Sequence, residues 1–114
     1  MLAMDMAEKL ESFGLIVFEA RNAQRAIRVL EARQDVRVMI TDVNLTGGPM
    51  SGFDLAHLVA KRWPHVGIVV TSGYATPTGS DLPPGARFFP KPYHEYQLRG
   101  AVYAIIEQQD EAKG

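Results

Sequence analysis

Between Val36 and Gly52 the chain reads VRVMITDVNLTGGPMSG, an apolar run that ends on an aspartate and opens into a glycine-rich loop. A short, nearly continuous apolar run of this kind predicts a strand buried on both faces. Asp42 closes it, and a carboxylate at the end of a buried strand is costly unless something uses it. After the loop, Ser51 and Asp54 stand three apart, the spacing of a capping box. The helix they open is predicted to run to about Trp63, with Pro64 marking its end.

The same alternation continues in both directions. Upstream, Leu2, Met6, Leu10 and Phe13 form one stripe of an amphipathic helix, with Gly14 placed as its stop. Leu15–Phe18, LIVF, predicts another buried strand. Asn22 is suited to cap a helix whose stripe is Ala23, Ala26, Ile27 and Leu30. Downstream, GIVVTS (Gly67–Ser72) and RFFP (Arg87–Pro90) predict strands. The Ala75–Gly85 segment, rich in proline and glycine, predicts a loop or one helical turn. Leu98, Val102, Ile105 and Ile106 form the stripe of a final helix, and residues 110–114 read as a polar tail.

Alternating helices and short strands predict an α/β domain with a mostly parallel sheet covered on both faces. Its 114 residues fit a single domain spanning 1–114. A net charge of -1 makes nucleic acid and anionic membrane weak expectations as partners. The absence of cysteine excludes disulfides and thiolate metal sites and suits a cytoplasmic location. No run approaches the roughly 20 apolar residues of a membrane span. The N-terminus lacks the pattern of a signal peptide.

In parallel sheets chemistry gathers beyond the carboxyl ends of the strands. Polar groups fall there on three strands: Asp42 on one, Thr71 and Ser72 on the next, and Lys91 just after the last. A carboxylate, a hydroxyl and a lysine suit phosphoryl transfer to the carboxylate. Asp42 attacks, while Ser72 and Lys91 donate to the phosphoryl oxygens. Each residue has an ordinary alternative. Asp42 could cap a turn, Ser72 could satisfy a strand end, and Lys91 could be a solvated surface lysine. Their convergence on consecutive strand ends favours a joint role.

The segments ITDVNL, VVTSGY and FFPKPY, in this order, resemble the receiver domain of bacterial two-component response regulators. The resemblance implies a flavodoxin-like, doubly wound parallel sheet. It implies that Asp42 is the phosphoacceptor for a sensor histidine kinase or phosphotransfer protein in a phosphorelay. Ser72 takes the position of the switch hydroxyl, Gly73 that of its small neighbour, and Phe88 that of the switch aromatic. Lys91 is the site lysine, and Lys91-Pro92 is expected to be cis. The family uses Mg2+, which Asp42 and the backbone carbonyl of Asn44 would ligate. TSGYA and PKPY are most like stand-alone receivers and those of hybrid kinases.

The departures are specific. The first, central receiver strand and its acidic pair of metal ligands are missing, so Asp42 and one carbonyl are expected to make a poor magnesium site. Without that strand LIVF and VMIT lose a shared partner, which exposes edges. Three outcomes follow: an upstream start, direct pairing of LIVF with VMIT, or complementation between chains, with a non-standard homodimer favoured. The Asp42–Gly52 loop is two residues longer than usual, with Thr46 in place of proline. The fourth receiver helix is expected to be replaced largely by a loop.

The chief rival is a pseudo-receiver, a protein-binding module that is not phosphorylated. DVNLT also approaches the D-x-D-x-T signature of haloacid-dehalogenase-like phosphatases, but Asn44 cannot act as their general acid. TGGPMSG lacks the Gly-Lys-Ser/Thr of a phosphate-binding loop. His57, His65 and His94 have no ligand spacing and read as surface or packing residues, and Trp63 as a helix end.

Overall fold

A computed structural model describes residues 4–20, 22–45, 48–73 and 77–113. Leu2, Thr46 and the start of the Ala75–Gly85 segment lie outside them. Among the described residues, α1 (Met4–Ser12) and α2 (Ala23–Ala32) precede β1 (Val38–Asp42), α3 (Gly52–Arg62), β2 (Gly67–Ser72), β3 (Arg87–Pro90) and α4 (Glu95–Lys113). The strands form one sheet in the order β1-β2-β3, all parallel. This is the α/β architecture expected, and among the described residues the sheet has three strands.

Local chemistry fixes the helix ends. Gly14 adopts φ 89°, a conformation that favours glycine, and its N–H donates to Glu11 O just past α1. The Asn22 side chain accepts from Arg25 N at the start of α2. At α3, Ser51 and Asp54 form a reciprocal capping box, which satisfies two otherwise orphaned N–H groups.

Alternation along the strands divides the core into two halves. Met39, Ile68 and Val70 pack with Ala23 and Leu30 of α2 and Leu55, Ala56 and Val59 of α3. Val38, Ile40 and Val69 face the other way, toward Leu10, Leu98 and Ile105 of α1 and α4. Phe88 joins the first half and Phe89 the second.

Two expectations are corrected. Leu15–Phe18 is not a strand: residues 15–20 carry no regular structure, and it does not pair with β1. Leu15 and Val17 still reach the core, but Ile16 is 86% and Phe18 47% exposed. Among the described residues, the sheet has no strand between this segment and β1. A cavity of about 410 Å³ lies there instead, lined by Leu10, Val17, Leu30, Ile40, Val102 and Ile106 among others. Arg33 lies over the Phe18 ring, 4.6 Å from its centre, and ties the segment to the end of α2.

The polar tail is the second correction, because α4 continues through Lys113. Asp110 is anchored by Arg37, with Nη2 2.6 Å from Oδ1. The neighbouring Gln109 receives Arg37 Nε on Oε1 and donates Nε2 to the carbonyls of Arg37 and His65. These contacts clasp the end of α4 to the amino ends of β1 and β2.

The segment between β2 and β3 contains no helix among its described residues, as the proline and glycine content foretold. His57 on α3 holds it. Its Nε2 lies 2.7 Å from Ser80 O and 3.1 Å from Asp81 O, so it must be the donor. His94 stacks on Tyr96 with ring centres 5.1 Å apart.

Candidate functional site

The strand register assembles the site. Asp42 is paired with Thr71, and Ser72 with Pro90, so the carboxyl ends of all three strands lie side by side. Two backbone bonds carry the ladder past the strand ends: Val43 N to Thr71 O at 2.9 Å and Lys91 N to Ser72 O at 2.8 Å. Lys91 is thereby delivered to the crevice, and the Lys91-Pro92 bond is cis.

Lys91 Nζ lies 3.0 Å from Asp42 Oδ1, an ion pair at the rim, with the two side chains 44% and 28% exposed. The hydroxyl of Thr71 donates to the same oxygen at 2.5 Å. Asp42, Thr71 and Lys91 continue the residue series Val38-Ile40, Val69 and Phe89, whose apolar members share one core half. Ser72 is buried at 4% exposure and belongs by alternation to the other series, with Val70 and Phe88. Phe88 is half-buried on β3.

Gly52, at the start of α3, brings that helix onto the strand. Its N–H donates to Val43 O at 2.6 Å, and any Cβ there would collide with the backbone carbonyl of Asp42. Sequence reasoning gave neither Gly52 nor Thr71 a role. The signal for Thr71 was present, since it lies two residues beyond Val69, as Asp42 lies two beyond Ile40. No sequence feature announced the close approach at Gly52.

The described residues offer a hard cation a sparse set of side-chain oxygens, with Asp42 as the carboxylate at the strand ends. Magnesium takes near-octahedral oxygen ligands and usually one or two carboxylates with water and substrate oxygens. Asp42 is the carboxylate at hand, and its Oδ1 already carries Lys91 and Thr71. Asn44 is exposed beyond it, and no group of three or more His, Asp or Glu side chains among the described residues is placed to hold a metal.

The sequence profile of the response regulator receiver domain matches residues 1–103. The chain belongs to the response regulator receiver domain family. Solved receivers share its fold. A receiver protein from Sinorhizobium medicae is similar at TM-score 0.83 and 24% identity, with 93% of this chain and 86% of that one covered. A CheY-like receiver from Methanospirillum hungatei gives TM-score 0.84 and 22% identity, over 95% of this chain and 86% of the other. The receiver of NtrX from Brucella abortus gives TM-score 0.76 and 25% identity, covering 90% and 87%. Receiver domains are signalling modules of two-component systems. No described helix of this one is long and apolar enough to cross a membrane.

Proposed function

We propose that this receiver accepts a phosphoryl group on Asp42 from the phosphohistidine of a sensor kinase or phosphotransfer protein. The observation that carries this is the Asp42 carboxylate held by Lys91 and Thr71 at the common end of three parallel strands. Both donors engage Oδ1, which leaves Oδ2 as the attacking oxygen. The Oδ2–P bond forms as the N–P bond of the donor breaks, and the imidazole nitrogen keeps the electron pair. Lys91, half-exposed beside the carboxylate, supplies positive charge where the phosphoryl oxygens arrive. By family position Ser72 is the switch hydroxyl and Phe88 the switch aromatic, and Phe88 pairs with Val70, two residues before Ser72, in the β2–β3 register. The chain is thus a phosphoacceptor in a single transfer and not a turnover enzyme.

Incubation with a small acyl phosphate and magnesium, read by intact mass, tests the proposal. A gain of one phosphoryl group that Asp42→Asn removes supports it. The lack of a metal-binding cluster among the described residues favours a pseudo-receiver instead. No gain in the wild-type chain, with the fold intact, would establish that second reading.

A further inference from the structure

Thr71 is the hydroxyl closest to the chemistry for which neither composition nor family position gives a use. We infer that Thr71 is a positioning residue that shortens the life of the phosphoryl group on Asp42, an inference that rests on the phosphoacceptor reading above. Thr71 is 1% exposed and sits directly opposite Asp42 in the β1–β2 register. Its hydroxyl donates to Oδ1 and shares that oxygen with Lys91. Two donors on one oxygen fix the rotation of the carboxylate and present the other oxygen to the donor.

The same bond has unequal strength before and after transfer. With Asp42 free, Oδ1 belongs to a carboxylate, and a hydrogen bond to it is charge-assisted. With Oδ2 phosphorylated, Oδ1 is the neutral carbonyl of an acyl phosphate and accepts about half as strongly. During hydrolysis a water oxygen bonds to phosphorus, the Oδ2–P bond breaks, and its electron pair returns to the carboxylate. The transition state for phosphoryl transfer is loose, so negative charge has already built up on the departing carboxylate. Thr71 therefore stabilises that transition state more than the acyl phosphate. Removing its hydroxyl slows hydrolysis and shifts exchange with the donor toward phospho-Asp42.

Thr71→Val keeps the β-branched shape and deletes only the donor, while Thr71→Ser keeps the donor. The decay of the phosphorylated full chain is followed by intact mass after removal of the acyl phosphate, alongside thermal unfolding of each variant. The expected result is a lifetime about fivefold longer in Thr71→Val and near wild type in Thr71→Ser. A purely structural role would instead lower thermal stability and labelling together, without a longer lifetime. Equal or shorter lifetimes in Thr71→Val overturn the role of Thr71 and leave Asp42 as acceptor. A wild-type chain that takes no phosphoryl group overturns both.

Discussion

A methyl group on Gly52 would overlap the Asp42 carbonyl, and backbone cannot yield as a flexible side chain does. Gly52→Ala is therefore expected to lower stability by about 2 kcal/mol in urea unfolding and to displace Asp42. Lys91 lies within 3.0 Å of the carboxylate and is the cation paired with it in the described structure. Lys91→Ala is expected to slow phosphoryl transfer about a hundredfold while leaving the unfolding midpoint within a few degrees. A stopped-flow or mass-resolved time course would check this, and an unchanged rate would contradict it. Asp42 and Lys91 were legible in the sequence because polar residues directly after apolar runs mark strand ends. The bond from Thr71 needed the register between β1 and β2, which depends on packing that the sequence states only indirectly.

At the scale of elements, the sequence was most explicit where local chemistry and tertiary packing agree. Asn22, Ser51 and Asp54 announced helix starts that the structure contains, and RFFP and GIVVTS became strands with the same bounds. LIVF failed for a non-local reason. Its apolar, β-branched composition suits a strand, but a strand exists only with a neighbour to receive its N–H and C=O groups. Residues 110–113 misled in the opposite way, since their polarity hid a helix that Arg37 and Gln109 hold in place. Ser51→Ala removes the capping acceptor for Asp54 N. It is expected to destabilise the domain by about 1 kcal/mol, read as a lower midpoint in chemical unfolding.

For the whole molecule, β1 is an edge strand whose one strand partner among the described residues is β2. Beside it, Ile16 and Phe18 expose apolar surface along the rim of the cavity. Edges of this kind favour pairing with another chain, and we propose self-association through them. Light scattering at micromolar concentration is expected to give a dimeric mass, with Ile16→Asp returning it to a monomer. A monomeric wild-type mass would contradict this. Because Ile16 is 86% exposed, the substitution should change the stability of the monomer by less than about 0.5 kcal/mol. The fold class was legible from alternation alone, whereas the gap beside β1 followed only from the absence of a residue run that the receiver pattern calls for.

Whether Asp42 receives a phosphoryl group is settled most directly by intact mass spectrometry of the chain after treatment with an acyl phosphate. A gain of one phosphoryl mass in the wild type and none in Asp42→Asn is the predicted result. An unmodified wild type, or an equal gain in Asp42→Asn, would contradict it.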